Sequence, residues 1–550
     1  MAMETAIAMA LLLAAGVTAS PAAWAQAAVA PPRAEAEPAA TSLPAAAQRD
    51  AISPLAAAMA PGAARNAVWP TAGWPTSTPE DEGMSSAALA ALVERGAARG
   101  VDSLLVTRHG RIVAEAYYAP YRAGLAHGIN SATKAVLGLL AGMAAADGLL
   151  GPFDRPVVDF FAGRAAAASS DERWRKVTLA HLLDMTSGID WQEPLDGGPV
   201  ASLLALERSA DWLAFVLGRP MAHAPGTVFN YNSGNSQLLS AVLAQQTGRS
   251  TADYARARLF TPLGIGETPW RSDRQGVSLG GFGLYLQPRD MAKIGYLLLR
   301  QGVWEGRQLV PAAWVEQVRA ASVDMGFGTQ PAFRYASGWW VVPEKRALMA
   351  VGFNRQLIIV LPDLDVVAVL TGRRNYPLVA LLDAIAGAAR GAEALPPDVA
   401  GLARLTASVR SAATEPRSAV RPAPAYADTL SGRHYRFDDN PLRIDALTLD
   451  LSAAGPRYEI VFQRDGGRGP GRRVAGPIGL DGTFRSGEAA GPLFAAKGGW
   501  SDERTFVIVT RAVLDGVEST YTLTFGDSSL DVQFMNNRGA EARLRGRAAD

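Results

Sequence analysis

The 550-residue chain has no cysteine. Thiol catalysis, disulfide frameworks and thiolate metal sites are excluded with it. Export is not excluded, since a large exported domain folds without disulfides. An excess of one charge is also missing. Fifty-three Lys and Arg face 52 Asp and Glu, a formal net charge of +1, which offers nothing to a nucleic acid. Five histidines, His109, His127, His181, His223 and His434, stand at no metal-ligand spacing, so no metal is expected. No Walker A pattern or dinucleotide fingerprint lies between a strand and a helix, so no cofactor is expected. No G-x-S-x-G nucleophile elbow is expected, which argues against an α/β-hydrolase triad. Past the N-terminus, no stretch is long and apolar enough for a membrane span.

Lysine is scarce. Lys134, Lys176, Lys293, Lys345 and Lys497 are the only five among 53 basic residues. Arginine serves for solvated charge, but it does not give up a proton, and lysine can. Lys134 lies in "SATKAVLGLLAGMAAADGLL" (131–150), an Ala- and Leu-rich helix that is polar only at its start. Overall, 49% hydrophobic and 19% charged residues describe a globular chain, and its length suggests two to four units.

Residues 1–25 read as a signal peptide. A short apolar stretch leads to Ala23-Trp24-Ala25, an A-x-A cleavage pattern, although Glu4 replaces the usual basic start. The expected location is periplasmic or secreted. Residues 26–68 are Ala/Pro-rich without apolar periodicity and read as a disordered linker. A domain is expected over 69–395. It opens with an amphipathic helix in "MSSAALAALVERGAARG", capped by Ser85 or Ser86, and a hairpin in "SLLVTRHGRIVAEAYY" turning at His109-Gly110. Late strands are expected at "SGWWVV", "ALMAVGF", "QLIIVLP" and "VVAVLTG". Residues 396–428 read as a second linker. Over 429–550, "TFVIVT", "YTLTF", "LDVQFM" and "EARLRG", split by "GDSS" and "NNRG", predict a small antiparallel all-β domain. Its "RDGGRGPGRR" reads as an exposed loop. This domain either shapes access to a neighbouring cleft or is a separate binding module.

Ser131 and Lys134, at i and i+3, share a helix face. The N–H groups and partial positive charge at the helix start favour an oxyanion. A neutral amine beside a serine hydroxyl is one way to activate a nucleophile. A capping serine with a snorkelling lysine is the plainer alternative. Downstream, "PGTVFNYNSGNSQLLSAVLAQQTG" delivers Tyr231 from a turn, with Asn232 and Ser233 leading into another apolar helix. Tyrosine works as general base or acid near positive charge. A core tyrosine with a satisfied hydroxyl is the alternative. Trp191 and Glu193 in "GIDWQEP" fit either a cleft rim or a structural role.

The order S-x-x-K, Y-x-S, then a late strand with a Gly-containing turn resembles the serine β-lactamase and penicillin-binding-protein superfamily. The resemblance is to its class C-like branch, with family VIII carboxylesterases, D-aminopeptidases and aminohexanoate-dimer hydrolases. "TPEDEGMSSAALAAL", "HLLDMTSGIDW", "GLYLQPRDMAKIG" and "IIVLPDLDVVAVLTG" extend it over about 69–390. It implies an α/β fold, an antiparallel sheet flanked by helices with an α-helical subdomain and a cleft between them. It implies Ser131 as nucleophile, Lys134 as its activator and Tyr231 as general base. The backbone N–H groups of Ser131 and Gln356 would form an oxyanion hole. Ser233, Asn354 and Arg355 would touch substrate. The chain departs from the pattern at "AVGFNRQLIIVLP", where Phe353, Asn354 and Arg355 replace the usual His, Gly and Gly. Arg355 then either binds a substrate carboxylate or points away as a surface charge. The implied activity is hydrolysis of a small ester, amide or short peptide through an acyl-enzyme. The alternatives are a non-catalytic binding protein and a weak penicillin-binding protein. Oligomeric state is not legible.

Overall fold

The computed structural model describes residues 68–549, apart from 168–169, 196–197, 199, 329–330, 453–454, 464–472 and 488–492. The leader, all but the last residue of the first Ala/Pro-rich stretch and most of the "RDGGRGPGRR" loop lie outside the described residues.

The first domain is built on an eight-stranded antiparallel sheet. Its strands are β1 (Val101–Arg108), β2 (Arg111–Tyr117), β3 (Val323–Asp324), β4 (Arg334–Ala336), β5 (Trp339–Val342), β6 (Ala347–Gly352), β7 (Gln356–Leu361) and β8 (Val366–Gly372). They lie in the order β2-β1-β8-β7-β6-β5-β4-β3. The β1–β2 hairpin turns at His109 and Gly110, both at positive φ, as a two-residue connection requires.

Helices cover both faces, which is why the late strands read as unbroken apolar runs rather than alternations. On β7, Leu357, Ile359 and Leu361 enter the core beneath α1 (Ser86–Ala98) and α8 (Leu378–Ala388), while Ile358 and Val360 enter the opposite core. That opposite face carries α7 (Pro288–Leu299) and an α-helical subdomain. The subdomain comprises α2 (Thr133–Ala146), α3 (Leu179–Leu183), α4 (Ala201–Arg208), α5 (Trp212–Leu217) and α6 (Ser233–Thr247). α1 is capped as expected, by Ser85 Oγ accepting from Ala88 N–H at 3.2 Å.

The stretch read as a second linker, 396–428, contains α9 (Val399–Ala412) instead. α9 packs on α1, and Arg404 pairs with Glu94. Its buried positions are Gly401, Leu405 and Ser408. Helical spacing is present, but only one of the three is a large apolar residue, so no hydrophobic pattern shows.

The second domain is one ten-stranded antiparallel sheet. It comprises β9 (His434–Phe437), β10 (Ile444–Asp450), β11 (Arg457–Phe462), β12 (Arg473–Pro477), β13 (Arg485–Ser486), β14 (Phe494–Trp500), β15 (Thr505–Ala512), β16 (Val517–Phe525), β17 (Ser529–Asn536) and β18 (Glu541–Ala549). Gly479, just past β12, bridges to Lys497 on β14 and nearly closes the sheet into a barrel. On β17, Leu530, Val532 and Phe534 point into the core while Asp531, Gln533 and Met535 face out.

Buried charges join the two domains. Arg373 donates to Asp102 at 2.8 Å and to Glu518 of β16 at 3.0 Å, and Arg511 of β15 also holds Glu518 at 2.8 Å. Gly128 N–H donates to Leu514 O at 2.7 Å, which lays the β15–β16 turn against the start of the helical subdomain. No helix among the described residues is long and apolar enough to cross a membrane.

Candidate active site

Ser131 does not start α2. It lies in a 3-10 turn, Asn130–Ala132, that precedes the helix without a side-chain cap. Asn130 takes φ 49°, and Ala132 N–H donates to Ile129 O at 3.1 Å. Ser131 N–H has no hydrogen bond among the described residues. Glycines seat this turn. Gly352, at the end of β6, lies against Ile129 O with no room for a Cβ. Gly138 of α2 abuts Ser337 O, and Gly338, at φ 89°, abuts Lys134 O.

Lys134 is buried, and its Nζ has three oxygen neighbours: Gly281 O at 2.9 Å, Ser233 Oγ at 3.0 Å and Ser131 Oγ at 3.3 Å. A carbonyl only accepts, so Nζ donates to Gly281. Ser233 commits its own proton to Glu193 Oε1 at 2.6 Å, so Nζ donates there as well. Only the contact with Ser131 can run in either direction. The sequence-predicted Ser131, Lys134 and Ser233 are therefore brought together.

Tyr231 reaches the same place with its ring. Lys134 Nζ stands 4.6 Å from the ring centroid, a cation–π contact. Among the described residues its hydroxyl forms no hydrogen bond with Ser131 or Lys134. Asn232 caps α6, its Oδ1 accepting from Asn235 N–H at 3.1 Å, which fixes where Tyr231 leaves the loop.

Glu193 belongs to this cluster and was underrated from sequence. It is buried, accepting from Ser233 N–H at 2.8 Å, Ser233 Oγ and Trp191 Nε1 at 2.8 Å. A carboxylate two residues after a buried tryptophan was the available signal. Its partner, 40 positions downstream, was not visible.

The hairpin residues take other places. The Gln356 side chain is buried and clamps the sheet, donating to Gly372 O at 2.7 Å and Phe353 O at 3.2 Å and accepting from Gly372 N–H at 3.2 Å. Asn354 and Arg355 both take positive φ, 58° and 67°. Backbone conformation therefore accounts for glycines at these two positions in the family pattern. Arg355 is not brought to Ser131. Its Nε donates to Tyr376 O at 2.7 Å, and burial lowers the guanidinium to about 10. It is neither an exposed surface charge nor a group of the Ser131–Lys134 cluster. Asn354 is buried beneath the hairpin. Gly276-Val277-Ser278-Leu279-Gly280 spells G-x-S-x-G but is no elbow. Ser278 is buried in a loop, its Oγ accepting from Ala252 N–H at 3.2 Å.

Phe353 stands at the mouth, half exposed, its carbonyl accepting from Asn130 Nδ2 at 3.2 Å. Arg538, in the β17–β18 turn of the second domain, places its guanidinium 6.0 Å from the Phe353 ring. Tyr285 donates to Asp515 of the same domain at 2.6 Å. Glu207 on α4 is pushed up to about 7, chiefly by burial. Arg271, Arg538 and Arg208 pull it back and Glu193 adds to the rise. The second domain thus contributes to the cleft's surroundings.

A buried lysine between two serines stands where an antiparallel sheet meets a helical subdomain, a β-lactamase-like arrangement. The Beta-lactamase family profile matches residues 86–392, more than half of the chain, and the chain belongs to that family. It is 26% identical over 286 residues to the 6-aminohexanoate-dimer hydrolase of Paenarthrobacter ureafaciens, spanning 49% of this chain and 71% of that protein. It is 34% identical over 181 residues to penicillin-binding protein 4 of Amycolatopsis lactamdurans, spanning 32% of this chain and 45% of that protein. Among solved structures it resembles EstCE1, a hydrolase with promiscuous acyltransferase activity. The TM-score is 0.43 and the identity 17%, covering 60% of this chain and 99% of that one.

Proposed function

We propose that the chain is a serine hydrolase that cleaves a small ester or amide through an acyl-enzyme on Ser131. The supporting observation is the Lys134 contact set. Two of its three neighbours force Nζ to donate, and the third is the Ser131 hydroxyl. In acylation the Ser131 proton passes to Nζ as Oγ bonds to the carbonyl carbon. The C–O or C–N bond then breaks, and the leaving group takes a proton. Ser131 N–H and a donor from the Gly352–Gln356 hairpin hold the oxyanion. Water then adds to the acyl carbon, its proton passing by way of the Tyr231 hydroxyl to Ser131 Oγ as the Oγ–C bond breaks and the acid leaves. Arg355, held at the Tyr376 carbonyl, does not compete for the cleft, which favours an enzyme over a binding protein.

The test is a panel of 4-nitrophenyl esters and anilides with short acyl groups, run on the full chain and on Ser131→Ala. Turnover that Ser131→Ala and Lys134→Met reduce by about 10³-fold or more supports the reading. Turnover that survives in Ser131→Ala overturns it.

A further inference from the structure

We infer that Asp184, at the end of α3, is a positioning residue for Lys134: its carboxylate holds the Ser337–Gly338 turn against α2 and so fixes where the lysine stands. The inference rests on the hydrolase reading for what Lys134 does, and not for the contact itself.

Asp184 is out of place by local rules. Its N–H donates to Ala180 O at 3.0 Å, so its carboxylate stands at the C-terminal, negative end of α3. Among the described residues no cationic side chain offsets this. The partner it has is a backbone amide, Ser337 N–H, which donates to Oδ1 at 3.1 Å. Burial pushes the carboxyl up to about 6, and that one N–H pulls it back. A residue so unfavourable to its own helix answers a demand elsewhere.

The demand comes from the turn. Ser337 and Gly338 join β4 to β5 as a two-residue hairpin connection, at φ 48° and 89°. The hairpin pairs Ala336 with Trp339, and the Ser337 N–H takes no part in that ladder. Ser337 is buried, and its Oγ has no partner. Without Asp184 its N–H would be a buried donor with no acceptor, which is costly. Among the described residues this bond is the turn's only hydrogen bond to the helical subdomain.

The tip of the turn lies directly on α2. Gly338 abuts Lys134 O and Gly138 abuts Ser337 O, so the turn follows the helix backbone from the lysine onward for about one helical turn. Lys134 Nζ meanwhile meets oxygens on three separate segments, Ser131 Oγ, Ser233 Oγ and Gly281 O. A small shift of α2 lengthens all three contacts, and hydrogen bonds weaken steeply with distance and angle. Two other titratable groups bear on Asp184. Tyr335 of β4 is a buried phenol kept neutral by burial and by the charges of Tyr231, Asp184 and Glu193. His181 on α3 is held toward its neutral form by burial, its Nδ1 accepting from Thr178 N–H at 3.2 Å. Neither offers Asp184 a positive charge, so its ionisation governs its hold on Ser337. As pH falls through about 6 the carboxylate takes up a proton and the hold weakens.

Two measurements on the full chain test this. The first is the second-order rate of fluorophosphonate labelling at Ser131 from pH 5 to 8. Asp184→Ala should be labelled about tenfold more slowly than the wild type at pH 8. Asp184→Asn keeps an acceptor for Ser337 N–H and should stay within about threefold at pH 8. The ratio of wild-type to Asp184→Asn rates should then fall severalfold toward pH 5, and titrations common to both proteins cancel in it. A ratio independent of pH, or a folded Asp184→Ala labelled at the wild-type rate, overturns the inference. The second is amide hydrogen exchange, read by mass spectrometry in peptides spanning 334–342 and 131–138. Faster exchange of both in Asp184→Ala, restored in Asp184→Asn at pH 8, supports the positioning role, and unchanged exchange of either peptide overturns it. This arm involves no bond chemistry. A folded wild type that takes up no fluorophosphonate marks failure of the hydrolase reading instead.

Discussion

Glu193→Ala is the perturbation whose consequences the structure specifies most fully. Glu193 and Lys134 are linked through Ser233 Oγ by bonds of 2.6 and 3.0 Å. Nζ and the carboxylate are thus at most about 6 Å apart, joined through one hydroxyl. Removing the carboxylate also strands three donors, Ser233 N–H, Ser233 Oγ and Trp191 Nε1. Each buried donor without an acceptor costs about 1–3 kcal/mol, reduced where water enters the space. Three stranded donors, partly relieved by water, give an expected loss of about 4 kcal/mol. Glu193→Gln keeps the volume and one acceptor and should lose about 2 kcal/mol. The assay is urea unfolding with the m-value checked, paired with the second-order rate of fluorophosphonate labelling at Ser131. Labelling should slow at least tenfold in both variants, because Ser233 then no longer fixes Nζ. A Glu193→Ala protein within about 1 kcal/mol of wild type, labelled at the wild-type rate, would refute the reasoning.

Further outcomes follow from other parts of the molecule. Arg373→Met leaves Asp102 with His127 and Glu518 with Arg511, removes the link between the two acids, and should cost about 1.5–3 kcal/mol in urea unfolding, with earlier proteolysis between the domains. Asp102 adds a pH signature: burial would raise it, but His127 and Arg373 outweigh burial and hold it below its usual value. Its stabilisation is therefore present above the unfolded-state value and is lost as pH falls. Gly352→Ala pushes a methyl group into Ile129 O and should destabilise by about 1–3 kcal/mol while slowing Ser131 labelling. Gly387→Ala, exposed on α8 with open space around it, should stabilise by about 0.5–1 kcal/mol and leave labelling unchanged. Finally, Glu207 is flanked by Arg208, Arg271, Arg538 and Glu193, and its value of about 7 lies above the unfolded one. Its neutral form is favoured by the fold, so stability to urea should fall as pH climbs from about 5 to about 8. Glu207→Gln should flatten the profile, and a profile equally steep in that variant would remove Glu207 from the explanation.

Much of the catalytic-side cluster was legible because its parts are local. Ser131 and Lys134 lie three residues apart on one turn, and Tyr231 and Ser233 two apart before a helix, so spacing alone suggests shared faces. The late strands were legible for a different reason: a sheet covered on both faces needs unbroken apolar runs. What was not legible depends on long-range placement. Glu193 acquires its role only when the loop after α3 folds against the start of α6. Arg355 has the chemistry expected of a carboxylate receptor, but its positive φ and the Tyr376 carbonyl turn it elsewhere. The cation that does approach the cleft is Arg538, more than 180 positions away in another domain, and a "NNRG" turn signals only a turn. α9 was hidden because two of its three buried positions are glycine and serine, small residues that carry no apolar signal.

The central claim is that Lys134 activates Ser131 as a nucleophile. Intact-mass spectrometry of the full chain after a fluorophosphonate and, separately, a β-lactam tests it most directly, with Ser131→Ala as the control. The account predicts a single fluorophosphonate adduct on the wild type and none on Ser131→Ala. A folded wild-type protein that takes up neither probe, or an adduct that persists in Ser131→Ala, would contradict it.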